Sequence, residues 1–297
     1  MVWKIIKISI FLLLTGFGTV GNIYVLMNYM YTFLMDTDKK SLQFILIHLS
    51  FANIAMLLSK AVSTTAAALG LRNVLDETGC HIIVYLNRVA RGFSICTSSL
   101  LTVVQAIAIS PGGPRCGKLK IKSARHIPLV VLFFWVLNSL VSMNLLHPIR
   151  NRNTNISHSK SNNYCYFKLG NQEINNVFLT LMALRDVVFL GVMGGASGYM
   201  VLLLHRHHQH VLYLRNPKLL HQTPPELRAA RSVLLLMLCF LFFYWTDCVI
   251  SLYLTFSLKN ISITMHVQEF LTLGYAIISP FVLIHRDGHL IECWHTW

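Results

Sequence analysis

The chain has 297 residues, of which 55% are hydrophobic and only 12% are charged. An ordinary soluble domain carries about 25% charged residues, so this chain lacks the polar shell that a water-soluble globule needs. The net charge of +14 does not indicate nucleic-acid binding. A nucleic-acid-binding domain presents Lys and Arg on a solvated face, and this chain has too little solvated face. Composition favours a membrane protein with basic loops, whose partner is the lipid bilayer and not a nucleic acid.

Apolar segments recur along the chain, separated by short polar loops. In chain order they cover 5–31, 42–69, 81–109, 127–146, 177–204, 229–254 and 267–284. Each is near or above the ~20 residues that a helix needs to cross ~30 Å of hydrocarbon, and none alternates as barrel strands do. The sequence predicts one domain, an all-α membrane protein with a seven-transmembrane helix bundle. A cleaved signal peptide is the alternative for the first segment, but its apolar run is long for one.

Loop charges predict the orientation of the bundle. The loops after the first, third and fifth segments, with the carboxyl-terminal segment, carry more Lys and Arg than the other set. Such loops stay in the cytoplasm, so the amino terminus is expected outside. The tripeptide Asn155-Ile156-Ser157 lies in a loop of the other set and matches a glycosylation acceptor, which is used only outside. Lys4 and Lys7 argue against this orientation.

A histidine-rich stretch, HRHHQH at 205–210, ends the fifth segment. Cations there interact favourably with the carboxyl end of a helix and with lipid phosphates. His207 and His208 are adjacent and therefore point to different faces of a helix. We expect the stretch to mark the inner membrane boundary, with neither a metal site nor a cofactor.

Ionisable residues inside apolar segments are costly in a bilayer and usually face the bundle or water. Besides Lys7 and Arg231, which are counted with the loop charges, seven of them occur here: Lys60, Arg88, Arg91, Arg185, Asp186, Asp247 and Glu269. In the predicted orientation all seven fall in the outer half of the membrane. This shared depth on five helices predicts a water-filled cavity that opens outward and binds a small molecule. The alternative is structural: Arg88 or Arg91 pairs with Asp247 or Glu269 to fasten the bundle, and Arg185 extends to the lipid headgroups.

Two cysteines lie at the edges of apolar segments on the predicted outer side. Cys80 begins the third helix, and Cys165 lies in the long loop between the fourth and fifth helices. The extracellular face permits a disulfide, which would tie this loop over the mouth of the cavity. Two free thiols are the alternative.

Neither catalysis nor transport has a clear signature in the sequence. The motifs H-E-x-x-H and G-x-S-x-G, a Walker loop and Cys-x-x-Cys are all absent from the chain, so an enzyme is not expected. A transporter or channel often shows paired repeats, broken helices or a charged path through the whole membrane. Here the charges stop in the outer half, which favours a receptor.

Seven helices with an outer cysteine pair resemble a rhodopsin-like G-protein-coupled receptor. Gly21-Asn22, Leu49-Ser50-Phe51-Ala52-Asn53 and Trp135 match landmarks of that superfamily. Other landmarks differ: Val104-Gln105-Ala106 stands where Asp-Arg-Tyr is usual, and Asn53 replaces an aspartate. The sixth helix also lacks its proline.

Those departures point to a narrower resemblance, to the vomeronasal type 1 receptors. It rests on the stretches HLSFAN (48–53), LSKAV (58–62), NRVARGFSICTSSLLTVVQAIAISP (87–111), ASGYMVLLLHRHHQ (196–209), PELRAARSVLLL (225–236) and SPFVLIHRD (279–287). Bitter taste receptors are the nearest alternative and lack the ASG…HRH block. The resemblance implies a plasma-membrane chemosensory receptor for a pheromone-like small molecule, which signals through a heterotrimeric G protein of the inhibitory type.

Two sets of site residues follow. The predicted ligand-binding residues are Lys60, Asn87, Arg88, Arg91, Asp186, Asp247 and Glu269. Family members typically carry His where Asn87 stands. The predicted G-protein-facing residues are Gln105, Arg115, Lys118, His205, Arg206, Arg228 and Arg231.

Overall fold

The protein is all-helical throughout the residues that the structure, a computed structural model, describes. These residues are 2–35, 40–69, 77–110, 114–143, 172–213, 234–235, 238–246 and 261–286. They form α1 (Val2–Met35), α2 (Lys40–Leu69), α3 (Glu77–Ile109), α4 (Pro114–Val141), α5 (Gln172–Tyr213), α6 (238–246) and α7 (Ile261–Arg286). The prediction of an all-α bundle of seven helices is confirmed.

Within the described residues, four helices have the length and hydropathy of membrane spans: Ile8–Met35, Lys40–Ala66, Thr78–Ile109 and Thr180–Arg206. Two shorter apolar helices cover His126–Val141 and Leu273–His285. Large apolar side chains are exposed on the outside of the bundle, among them Leu13 and Val20 of α1, Val187 of α5 and Trp245 of α6. An apolar outer surface of this kind suits hydrocarbon rather than water.

The largest extensions beyond the predicted apolar segments are those of α4 and α5. α4 begins at Pro114, thirteen residues before the apolar segment that starts at 127. Proline favours the first position of a helix because its φ is already helical and its missing N–H has no intrahelical partner there. α5 continues to Tyr213, so the histidine-rich stretch is helical and His205 and Arg206 lie exposed on it.

α3 is the central helix of the bundle. In its most apolar window 67% of the residues are buried, against 17% in that of α5. It packs against α2, α4 and α5. Phe93 of α3 is fully buried and stacks on Trp135 of α4 with ring centroids 4.1 Å apart. A side chain on α3 is therefore within reach of several other helices.

α1 and α7 approach closely because glycines line their contact. A Cβ atom at Gly18 would lie 3.1 Å from Cα of Ile277, and one at Gly21 would lie 3.0 Å from Cγ of Pro280. Pro280 lies inside α7 and has no N–H to donate to the carbonyl of Ala276, four residues earlier. The Nδ2 atom of Asn22 in α1 donates to that carbonyl at 2.8 Å. Asn22 thus gives the Ala276 carbonyl the hydrogen bond that Pro280 cannot donate.

Candidate ligand-binding site

Polar residues concentrate at the end of the bundle where α3 begins, which we term the Cys80 end. Asn87 of α3 donates through Nδ2 to Oγ of Ser59 at 3.1 Å and to the carbonyl of Met56 at 3.3 Å. Both acceptors belong to α2, so Asn87 joins α3 to α2. Lys60 follows Ser59 and is partly buried at the same level.

Arg91 lies one helical turn further along α3 and faces α6. Its Cζ atom is 5.7 Å from the centroid of the Tyr244 ring. A guanidinium at this distance is attracted by the electron-rich face of the ring. Arg91 and Tyr244 therefore bring α3 and α6 together near the Cys80 end.

Arg185 and Asp186 of α5 form a nearly buried ion pair, with side chains 7% and 13% exposed. The Nε and Nη2 atoms of Arg185 donate to Oδ1 of Asp186 at 2.8 and 2.6 Å. Nη1 of Arg185 donates to Oδ1 of Asn138 in α4 at 2.7 Å. The hydroxyl of Tyr244 donates to Oδ2 of Asp186, also at 2.7 Å. The hypothesis that Arg185 extends to the headgroups is wrong, because its guanidinium lies inside the bundle.

Gly92 provides the space in which this ion pair lies. A Cβ atom at Gly92 would overlap Oδ1 of Asn138 and Nη1 of Arg185, and would lie 2.7 Å from Cζ of Arg185. Only a residue without a side chain lets the guanidinium approach α3 so closely. We term Gly92, Asn138, Arg185, Asp186 and Tyr244 the arginine cluster. It links α3, α4, α5 and α6.

Arg88 differs from the other described cations of this end. Its Nη1 atom is buried and has no hydrogen-bond partner. Arg88 lies three and four residues before Arg91 and Gly92, so the three occupy one side of α3. Arg91 faces α6, and Gly92 faces α4 and α5. The helical spacing places Arg88 between these directions, one turn nearer the Cys80 end.

A second polar group lies deeper in the bundle and joins α1, α2, α3 and α7. Nδ2 of Asn53 donates to Oδ1 of Asn22 at 3.3 Å and to Oγ of Ser279 at 3.1 Å, and Oδ1 of Asn53 accepts from Oγ of Ser94 at 3.1 Å. All four side chains are buried. We term them the asparagine network. The sequence singled out Asn53 as a replaced aspartate, and the structure makes it the centre of a neutral hydrogen-bonded group.

Three of the predicted G-protein-facing residues, Gln105, His205 and Arg206, are described at the opposite end of the bundle, where α3 ends. Gln105 is buried, and its Oε1 atom has no hydrogen-bond partner. His205 and Arg206 are exposed on α5. At this end the hydroxyls of Ser110 and Tyr199 are 3.0 Å apart, which joins the end of α3 to α5.

Several predicted residues lie outside the part of the chain that the structure describes. Five are outside it altogether: Asp247, Cys165, Asn155, Arg228 and Arg231. Three more lie on helices that the structure describes, but their side chains are not described: Glu269, Arg115 and Lys118. Cys80 is buried and disulfide-bonded. Its pairing with Cys165 stays a prediction.

The structure adds residues to the site that the sequence analysis did not select. Asn138 of α4 and Tyr244 of α6 hold the Arg185–Asp186 pair through hydrogen bonds. The available signal was an amide in the apolar run WVLNSLV and a tyrosine three residues before Asp247. Polar groups in apolar helices usually face other helices.

Comparison with known proteins agrees with this geometry. The fold is similar to that of squid rhodopsin, with a TM-score of 0.72 over 97% of this chain and 84% of that chain at 15% identity. The model of the vomeronasal organ pheromone receptor family matches residues 5–296. Human vomeronasal type-1 receptor 4 is 31% identical, covering 100% of this chain and 99% of the relative. Zebrafish (Danio rerio) olfactory receptor class A-like protein 1 is 30% identical, covering 94% and 89%.

These findings define a G-protein-coupled receptor with a rhodopsin-like seven-helix fold, and not an enzyme. The extent of the family match then decides the narrower class. The chain belongs to the vomeronasal type 1 receptor family. Membership of that family implies a chemosensory receptor in a membrane, with a small-molecule ligand and a G protein as partners.

Proposed function

We propose that the chain is a single seven-helix receptor domain that binds a pheromone-like small molecule at the Cys80 end, among α3, α5, α6 and α7. The observation that carries the proposal is the convergence of charged and polar side chains from α2 to α6 at this end. Arg91 meets Tyr244, and Tyr244 meets the Arg185–Asp186 pair. A ligand that contacts Arg91 or Tyr244 therefore acts on three helices at once.

Activation is proposed as a change in the relative populations of two helix arrangements. A ligand shifts such an equilibrium only when it binds one arrangement more tightly than the other. The hydroxyl of Tyr244 bridges α6 to α5, so a ligand near it favours or disfavours that bridge. The opposite end, with Gln105, His205 and Arg206, would accept a heterotrimeric G protein of the inhibitory type. Arg115, Lys118, Arg228 and Arg231 complete this proposed surface.

Lys60, Asn87, Arg88, Asp247 and Glu269 remain proposed ligand-contacting residues. Asp186 is a different case, because both of its carboxylate oxygens already accept hydrogen bonds from Arg185 and Tyr244. We assign it to the wall of the site, where it orients Tyr244.

The proposed orientation places the amino terminus, the Cys80 end and Asn155 outside the cell. The disulfide of Cys80 is typical of an oxidising compartment and supports this side. Treatment of intact cells with a glycosidase tests it. We expect a faster-migrating receptor after treatment, and no such shift when Asn155→Gln is combined with Asn260→Gln, because Asn260-Ile261-Ser262 is a second acceptor pattern in the same set of loops. Absence of glycan on a receptor present at the cell surface would argue against the orientation.

The function is tested by expressing the receptor in cells with a panel of small molecules and a calcium or cyclic-nucleotide readout. The double variant Arg91→Ala, Asp247→Ala should lose the response while its surface expression remains. Leu86→Ala is the matched control, because Leu86 lies on the same turns of α3 but is exposed on the outside of the bundle. A response that survives in the double variant would remove the site assignment.

A further inference from the structure

The arginine cluster fixes one carboxylate oxygen in relation to three helices. Arg185 of α5 donates to Oδ1 of Asn138 in α4 at 2.7 Å, and its guanidinium lies against α3 in the space left by Gly92. Both hydrogen bonds from Arg185 to Asp186 end on Oδ1 of the carboxylate. The other oxygen, Oδ2, therefore holds a set position against α3, α4 and α5 without taking part in these two bonds.

The described part of α6 packs against α7 through apolar side chains. A Cβ atom at Gly274 of α7 would overlap the ring of Phe243, so the two helices approach closely there. The ring of Phe240 meets that of Tyr275 edge to face, with centroids 4.4 Å apart. Because the burial of apolar surface is a non-directional interaction, this contact can serve as a pivot for α6.

Tyr244 joins α6 to the arginine cluster through its hydroxyl. This group donates to Oδ2 of Asp186 at 2.7 Å, and the centroid of its ring lies 5.7 Å from Cζ of Arg91 in α3. The carboxylate is charged and its side chain is 13% exposed, which are conditions that strengthen a hydrogen bond. A hydrogen bond also weakens steeply when its angle departs from linear. A small displacement of α6 away from α5 is therefore enough to break it.

The loss of this hydrogen bond leaves the ion pair intact. Arg185 stays bound to Oδ1 of Asp186, so the carboxylate keeps its counter-charge when Tyr244 departs. Removing one partner from a buried ion pair costs far more free energy than losing one hydrogen bond to it. The bond from Tyr244 can therefore open and close while α3, α4 and α5 stay joined.

We infer that the hydrogen bond from Tyr244 to Asp186 is a latch that holds α6 against α5 in the receptor without ligand. When the latch opens, α6 is free to pivot on its apolar contact with α7 and to move away from α5. A ligand at the Cys80 end opens the latch by taking the hydroxyl of Tyr244 as its own hydrogen-bond partner. This inference rests on the proposed ligand site and adds the device by which a ligand there changes the helix arrangement.

The test measures the distance between α5 and α6 in the full-length receptor, reconstituted in nanodiscs without ligand. Azide-bearing amino acids replace Val187 of α5 and Trp245 of α6, two side chains that are exposed on the outside of the bundle. Each is coupled to a nitroxide spin label for pulsed electron paramagnetic resonance, which leaves the native cysteines unlabelled.

Three substitutions are compared in this labelled receptor. Tyr244→Phe removes the hydroxyl of the latch and keeps the ring. Tyr31→Phe is the matched control, because it removes a hydroxyl from an exposed tyrosine of α1. Phe240→Leu weakens the contact of α6 with Tyr275 of α7 and keeps the latch.

We expect one short distance between the labels in wild type and a second, longer distance in Tyr244→Phe. The strength of a hydrogen bond to a charged group corresponds to a change of roughly ten- to a hundredfold in the ratio of the two populations. Tyr31→Phe and Phe240→Leu should give the wild-type distribution. In cells, Tyr244→Phe should signal more than wild type in the absence of ligand, for equal amounts of receptor at the surface.

Two distance results would overturn the inference. One is a distribution in Tyr244→Phe that equals that of wild type. The other is a distribution in Phe240→Leu that is broadened as much as that of Tyr244→Phe, because α6 would then be held by packing and not by the hydroxyl. If Tyr244→Phe cannot be purified, its signal in cells decides, and a ligand-independent signal no higher than that of wild type overturns the latch.

The distance measurement requires neither a ligand nor a G protein, so its outcome is separate from that of the proposed function. A receptor that responds to ligand while the labels keep one distance in Tyr244→Phe would retain the function and lose the latch. A second distance in Tyr244→Phe, in a receptor that gives no signal with any molecule, would retain the latch and remove the function.

Discussion

Gly92→Ala tests whether the arginine cluster is as tightly packed as the structure indicates. The added methyl group would overlap Nη1 of Arg185 and Oδ1 of Asn138, and those two atoms are joined by a 2.7 Å hydrogen bond. Neither side chain is free to move away, because the same guanidinium is also held by Asp186. The substitution must therefore strain the contact between α3 and α5 and also break the hydrogen bond.

The expected cost follows from those two effects. Overpacking a well-packed core costs typically about 1–3 kcal/mol, and loss of a hydrogen bond to a charged group costs about 1.5–3 kcal/mol. The better helix propensity of alanine returns about 0.5–1 kcal/mol. We expect a net loss of roughly 2–5 kcal/mol, which lowers the unfolding temperature by roughly 5–15 °C.

The matched control is Gly191→Ala on α5, where an added Cβ would meet no atom within 4 Å. This substitution gains helix propensity without a clash, so its unfolding temperature should equal or exceed that of wild type. Thermal unfolding followed with a thiol-reactive fluorophore reports both, since Cys96 is fully buried next to Asn138. If Gly92→Ala unfolds at the same temperature as Gly191→Ala, the packing described for the cluster is incorrect.

Three further predictions concern the polar groups of the bundle. Tyr244→Phe should cost about 1.5–3 kcal/mol, because it removes the hydroxyl that donates to Asp186 and keeps the ring beneath Arg91; a cost under about 0.5 kcal/mol by thermal unfolding would contradict the contact. Asn22→Ala should cost about 1–3 kcal/mol by leaving the Ala276 carbonyl unsatisfied. In a double-mutant cycle Pro280→Ala should reduce that cost by about 1 kcal/mol, since alanine restores the missing N–H; strict additivity of the two substitutions would refute the explanation. Mass spectrometry with a membrane-permeant thiol reagent should find Cys96 modified later than the partly exposed Cys239, and the reverse order would place Cys96 at the surface.

The fold was predictable from the sequence because each helix is encoded locally. Apolar runs long enough to cross a bilayer are properties of single segments, and the structure confirms seven helices. The helix ends were less predictable. The extension of α4 back to Pro114 covers a basic stretch whose composition is equally typical of a loop.

The arrangement of the site was predictable only in part. The positions of Arg91, Arg185 and Asp186 along their apolar segments indicated that the three residues lie at one level of the bundle. It did not indicate which partners they meet, because this depends on how four helices are rotated about their axes. Neither Asn138 nor Gly92 has a sequence signal that connects it with Arg185. Their roles follow only from the hydrogen bond and the close approach in the structure.

The central claim is that the ligand and water reach the Cys80 end of the bundle from outside the cell. The most direct measurement is the reaction of a cysteine at Asn87 (Asn87→Cys) with a charged, membrane-impermeant thiol reagent on intact cells, with and without an activating ligand. Leu86→Cys is the control, because the adjacent side chain is exposed on the lipid-facing surface. We predict that Asn87→Cys reacts and that ligand slows this reaction, while Leu86→Cys stays unreactive. A cysteine at 87 that does not react, or that reacts at the same rate with ligand bound, would contradict the account.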